Sequence, residues 1–147
     1  NSRMTDIQAA LGISQLKKLN LFVNKRRQIA KIYDYNFKNF VNVKTQYIHK
    51  DDKSSYHIYP LLINFKKLKK TKEKLFSYMK KRGINLQVHY KPTYKFKYYK
   101  KIKIMKYKNM QNAENFYNEE ISLPIYYSLK KNTQLKIIKS IKDFVLK

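Results

Sequence analysis

The chain is 147 residues long and carries 34 Lys and Arg against 9 Asp and Glu, a formal net charge of +25. A hydrophobic fraction of 43% is close to the globular norm, so one folded domain with a core is expected and a disordered chain is not. The absence of cysteine excludes disulfides and thiolate metal sites and fits a cytoplasmic protein, and no apolar run approaches the roughly 20 residues that span a bilayer.

The first stretch, Asn1 to Leu19, predicts a helix with a strong start. Thr5 followed by Gln8 is a capping box, and Asp6 puts a carboxylate in the first turn, where the helix dipole favours it. Asn1 and Arg3 stand just ahead, so an amide and a guanidinium flank free backbone N–H groups, an arrangement that holds a phosphate. The bland alternative is an ordinary N-terminus with two solvated side chains. The chain opens with Asn rather than Met and enters its helix almost at once, so it is expected to be the C-terminal piece of a longer polypeptide.

Asn20 is placed to cap a second helix reaching about Phe40, with Leu21, Val23, Ile29, Ile32, Tyr33 and Phe37 as its apolar side and Lys25, Arg26, Arg27 and Lys31 covering the rest. Val43 to Ile48 reads as a short strand, and 49–55 as a polar loop. Tyr56 to Ile63 is the strongest strand signal, and Pro60 inside it argues for an edge position or a bulge. A helix near Thr71 to Arg82 carries Leu75, Phe76 and Met79 on one face, and Gly83 terminates it. Ile84 to His89 is expected as a third strand. Tyr90 to Lys108 lacks a clean period and reads as loop with a short helical turn. Asn112 to Glu120 is a short helix, Ile121 to Pro124 an extended exit, and Asn132 to Leu146 a last helix with Leu135, Ile138, Ile141 and Val145 inward. This order gives an α+β fold: a long helical N-terminal region, then about three mainly antiparallel strands with helices on one face.

Two stretches carry candidate chemistry. His89, Tyr90 and Lys91 end a strand ahead of a proline-led loop; imidazole, phenol and ammonium together suit a nucleotide sugar. Alternation puts His57 and Tyr59 on one face and Tyr56 and Ile58 on the other, and packing and pocket roles stay equally open for His57 and Tyr59. Glu114, Glu119 and Glu120 read as ion-paired surface in so basic a chain. No metal spacing, glycine-rich phosphate loop or Ser-His-Asp arrangement is present.

The string from Asn1 through Arg3-Met4-Thr5-Asp6-Ile7-Gln8-Ala9-Ala10-Leu11-Gly12 to Ser14-Gln15-Leu16 resembles the signature of the DegT/StrS-type aminotransferases. That family uses pyridoxal phosphate to aminate keto sugars on nucleotides. Val88-His89-Tyr90-Lys91-Pro92 resembles its Val-His-Tyr-x-Pro motif, Ser54 to Pro60 its strand into the small domain, and Ala113 to Pro124 its closing motif. The order matches from Asn1 to Lys147 and is closest to the pseudaminic-acid branch. Ser2 departs from the aromatic usual between the Asn and the Arg.

The resemblance implies the C-terminal small domain of a fold-type I pyridoxal-phosphate transferase, with 1–40 linking from a large domain and 41–147 forming the small α+β domain. It implies that Asn1, with Arg3 beside it, contacts the cofactor phosphate of the partner subunit. His89, Tyr90 and Lys91 would line the sugar-nucleotide pocket of a homodimer with shared active sites. Glutamate would be the amino donor and a UDP-linked 4-keto deoxyhexosamine of cell-surface glycan synthesis the acceptor. The Schiff-base lysine belongs to the large domain, so no catalytic residue is assigned here, and the piece alone is expected to be inactive and to bind the cofactor poorly.

The rival class is a basic nucleic-acid-binding module, with Lys and Tyr interleaved between Tyr90 and Lys108. Arginine, with its bidentate fork for phosphates and bases, stands only at positions 3, 26, 27 and 82. The lysine surplus, together with abundant Asn, Ile and Tyr, looks like an AT-rich coding sequence. No specific nucleic acid and no membrane partner are therefore expected.

Overall fold

Thr5 and Gln8 form the expected capping box: the Gln8 N–H donates to Thr5 Oγ1 at 3.3 Å and the Thr5 N–H to Gln8 Oε1 at 3.0 Å. They open α1 (Asp6–Leu16) in a computed structural model that describes residues 3–101 and 110–147. A turn at Lys17 and Lys18 separates α1 from α2 (Leu19–Phe37). Asn20 is not the cap of α2 but lies within it. Lys18 is the N-cap, and its near-helical backbone (φ −100°, ψ −4°) denies α2 the extended geometry that a capping side chain needs.

Three strands follow, all antiparallel, in the order β1 (Val43–Thr45), β2 (Tyr59–Ile63), β3 (Glu120–Leu123). Both early strands are shorter than expected. A left-handed backbone at Tyr56 (φ 47°) breaks the alternation, so β2 starts only at Tyr59, and Tyr56 and Tyr59 stack on each other at 6.3 Å instead of facing apart. Pro60 sits in the central strand, not at an edge. It survives there because β1 ends opposite Leu61, and because Ser122, its partner on β3, turns its own N–H and C=O outward to Gln87. The missing N–H of Pro60 therefore has no ladder bond to make.

The third strand is β3, read from the sequence as an extended exit, and Ile84 to His89 contributes only the bridge between Gln87 and Ser122. The next rung would pair His89 with Glu120. Lys72 Nζ occupies the Glu120 carbonyl at 2.8 Å, and the His89 N–H turns to the Glu120 side chain at 3.0 Å. Side chains have replaced the ladder there.

Tyr59, Leu61 and Ile63 of β2 face a single apolar cluster with Tyr33 and Phe37 of α2, Leu75 and Met79 of α3 (Lys72–Lys80), and Ile137, Ile141 and Val145 of α6 (Lys131–Leu146). Thr71 caps α3, and the chain leaves it through Gly83 in the left-handed region (φ 72°), the terminator that the sequence predicts. In α6 the inward face is shifted from expectation: Leu135 is 45% exposed, while Gln134 is buried and donates to the Ile29 carbonyl at 2.8 Å. The remaining elements are a 3-10 turn (Thr93–Lys95), α4 (Lys97–Lys101) and α5 (Gln111–Glu119).

The apolar side chains of α1 find no core. None of its residues is buried, and Ile7, Leu11, Ile13 and Leu16 are all exposed. No described helix is long and apolar enough to cross a membrane.

Candidate functional site

His89 stands where the aborted strand meets β3. Its Nδ1 lies 2.8 Å from Ser122 Oγ, its backbone N–H donates to Glu120 Oε2, and Ser122 Oγ donates to Glu120 Oε1 at 2.6 Å. Glu120 and Ser122 are two apart on a strand, so their side chains share a face and reach one partner together. Glu120 is fully buried. The expectation of an ion-paired surface carboxylate is wrong for this residue: donors, not a salt bridge, compensate its burial.

His89 lines a cavity of about 270 Å³ together with His57, Asn85, Gln87, Ser122 and Tyr126. Asn85, Gln87 and His89 follow one another at spacing two, alternating with the buried Ile84 and Leu86 and the half-buried Val88, so the extended backbone presents a row of polar side chains to the opening. His57 belongs to this lining, whereas Tyr59 is core. Burial first, and then its 2.6 Å bond to Asp34 Oδ1, push the Tyr59 phenol far above its ordinary value.

The surrounding loops are tied down by cations. Arg26 Nε donates to the Ser55 carbonyl at 2.9 Å and Arg27 Nε to the Ser54 carbonyl at 2.8 Å, fastening the loop that delivers His57 to the side of α2. Lys72 donates to the carbonyls of Tyr117 and Glu120, joining α3 to the α5–β3 junction. Burial pulls the Lys72 ammonium below its ordinary value, while the charges of Glu120 and Glu73 oppose that shift. Both neighbours being carbonyls, Lys72 is a structural tie and not a free amine.

Beyond Pro92 the loop is pinned by Glu114, which pairs with Lys95 and accepts from Tyr94 Oη at 2.9 Å. Those two hydrogen bonds hold the Glu114 carboxyl below the ordinary carboxylate range. A depressed folded pKa stabilises the fold above the ordinary range, and that contribution disappears as pH falls through the folded value. Glu114→Gln is therefore expected to lower Tm at neutral pH, with the gap from the unaltered chain closing on acidification. A gap that is constant or widens at acid pH would contradict this role.

The sequence-predicted site residues are not brought together equally. His89 is at the cavity; Tyr90 packs edge-on against its ring at 4.6 Å and is itself 74% exposed. Lys91 Nζ sits 5.3 Å over the Phe96 ring. Arg3 is exposed ahead of the capped start of α1, and Asn1 lies outside the described residues. The sequence reading missed Asn85, Gln87 and Ser122, and misjudged Glu120. The two-residue spacing of each pair was the available signal.

A model of the DegT/DnrJ/EryC1/StrS aminotransferase family matches residues 1–142. The chain belongs to this family. A DegT-type relative from Campylobacter jejuni, the UDP-4-amino-4,6-dideoxy-N-acetyl-beta-L-altrosamine transaminase, is 43% identical over 97% of this chain and 36% of its own length. PseC of Helicobacter pylori, an aminotransferase involved in the biosynthesis of pseudoaminic acid, superposes with a TM-score of 0.87 at 36% identity, covering 98% of this chain and 38% of PseC. The putative sugar aminotransferase Spr1654 of Streptococcus pneumoniae, solved in its PLP form, gives a TM-score of 0.81 at 26% identity over 99% of this chain and 37% of that one. The chain thus spans a little over a third of the length of these DegT-type proteins.

DegT-type aminotransferases depend on pyridoxal phosphate. The described residues fit one part of that group. The capping box consumes the N–H groups of Thr5 and Gln8, and Asp6 adds negative charge, so the mouth of α1 offers fewer free donors than its residue types suggest. Arg3 remains exposed, and a guanidinium is the group whose paired N–H donors match a phosphate edge. Among the described residues the half-buried Lys72 already spends two of its three N–H donors on carbonyls.

Proposed function

We propose that this chain is the C-terminal part of a pyridoxal-phosphate-dependent transaminase that moves an amino group from glutamate to the 4-keto sugar of a UDP-linked deoxyhexosamine in cell-surface glycan synthesis. When bound, the cofactor supplies an electron sink for amine transfer. The chain's own part is to hold the acceptor: His89 and Tyr90, with Lys91, act at the sugar nucleotide, while Asn1 and Arg3 reach the cofactor phosphate of a partner subunit in a homodimer. The family match and the named relatives support the reaction class. One observation carries the placement of the acceptor: His57, Asn85, Gln87 and His89, all hydrogen-bonding side chains, converge on one cavity.

The test is glutamate-dependent amination of a UDP-4-keto-6-deoxy-N-acetylhexosamine, followed as 2-oxoglutarate released and amino sugar formed. The full-length polypeptide is expected to be active and the 147-residue chain inactive. In the full-length protein His89→Ala is expected to raise KM for the sugar nucleotide about tenfold, the size of one lost hydrogen bond, with a smaller effect on KM for glutamate. A full-length protein that aminates no nucleotide-linked keto sugar would overturn the reading.

A further inference from the structure

The Ser122 hydroxyl has one proton, and it goes to Glu120 Oε1. Its contact with His89 Nδ1 must then be one that Ser122 Oγ accepts, which puts the ring proton on Nδ1. Glu120 receives a second donor, the His89 N–H, and has the Lys72 ammonium on its carbonyl. Each oxygen of this buried carboxyl therefore faces a donor, Oε1 the Ser122 hydroxyl and Oε2 the His89 N–H, and both act as acceptors. His89 Nε2 makes no hydrogen bond among the described residues, and the ring lines the polar cavity.

We propose that Glu120 and Ser122 are positioning residues: acting in series, they hold His89 as the Nδ1–H tautomer, so that Nε2 meets the ligand as a hydrogen-bond acceptor. Such a nitrogen selects a hydroxyl or an amide N–H and disfavours an oxyanion, whose oxygens bring no proton. His89 then reads the hydroxyl or acetamido face of a sugar, and a pyrophosphate has to be held elsewhere on the basic surface. The ligand half of this inference rests on reading the cavity as the sugar end of the site; the tautomer does not.

The tautomer is measurable directly. The chain has three histidines, so ring-nitrogen NMR of the 15N-histidine-labelled chain, above the pH at which imidazole titrates, gives a spectrum that His89→Gln assigns. Free histidine in water favours Nε2–H. His89 is expected as Nδ1–H, and Ser122→Ala is expected to move its tautomer ratio toward Nε2–H about tenfold, the size of one hydrogen bond. Ser122→Thr keeps the hydroxyl on a strand that suits a β-branched residue and is expected to retain Nδ1–H. If Ser122→Ala does not fold, the unaltered chain still decides the tautomer and Glu120→Gln replaces it as the perturbation. Failure of the full-length protein to aminate a nucleotide sugar would leave these spectra unchanged, so the two failures are told apart. An Nε2–H ring in the unaltered chain, or a ratio that loss of the Ser122 hydroxyl leaves in place, would overturn the proposal.

Discussion

Phe37→Ala is expected to lower the free energy of unfolding by about 3–5 kcal/mol, read as a fall in the urea midpoint at unchanged slope. Phe37 is fully buried at the end of α2, with ring centroids 6.3 Å from Tyr33 and 6.5 Å from Phe40. Removing the ring costs its transfer free energy and leaves a void. Rigid neighbours bound that void: Tyr33 is held by a 2.9 Å bond from its hydroxyl to the Pro124 carbonyl, so its ring is not free to swing inward. Against a typical domain stability of about 5–15 kcal/mol, such a loss brings the fold to the margin. Tyr35, two residues earlier and 90% exposed, is the control: Tyr35→Ala is expected to stay within about 0.5 kcal/mol of the unaltered chain. A Phe37→Ala variant within about 1 kcal/mol would mean that the cluster collapses around the gap, and that α2 is less central to the core than its burial implies.

The features that the sequence reveals are those decided within a few residues. The Thr5–Gln8 box and the Gly83 terminator each involve neighbours in the chain, and each forms as expected. The errors share a different cause. Pro60 was expected at an edge or a bulge because a proline lacks a donor; whether that donor is needed depends on where β1 stops and which way Ser122 turns. Ile84 to His89 alternates like a strand, yet the carbonyl that would extend its ladder is taken by Lys72 from another helix. Glu120 was grouped with surface carboxylates on charge balance, which says nothing about a position whose burial is compensated by a serine two residues on and a backbone N–H thirty-one residues back. His89 was singled out through its motif, but the residues that hold it were not, because they come from the far end of the chain. The lysines near Tyr90 that suggested polyanion binding are partly engaged within the fold, Lys91 over Phe96 and Lys95 on Glu114.

Glu120→Ala is expected to cost about 2–4 kcal/mol and Glu120→Gln about half as much, measured by the same urea titration. Alanine strips the acceptor from two donors at once, the Ser122 hydroxyl and the His89 N–H. The hydroxyl is able to rotate toward His89 Nδ1 and recover a partner, but the N–H is fixed by the backbone and stays unsatisfied unless water enters. Loss of the carboxylate also removes the charge that offsets the burial of the Lys72 ammonium, so α3 and the α5–β3 junction are loosened together. Glutamine keeps the shape and one acceptor oxygen, but aims an NH2 group at a donor, which is why it lies between. The order separates electrostatic support from space filling: were volume alone responsible, Glu120→Gln would match the unaltered chain. If instead Glu120→Ala were neutral, the buried carboxylate would be dispensable to the fold, and the rim of the cavity at His89 would need another anchor.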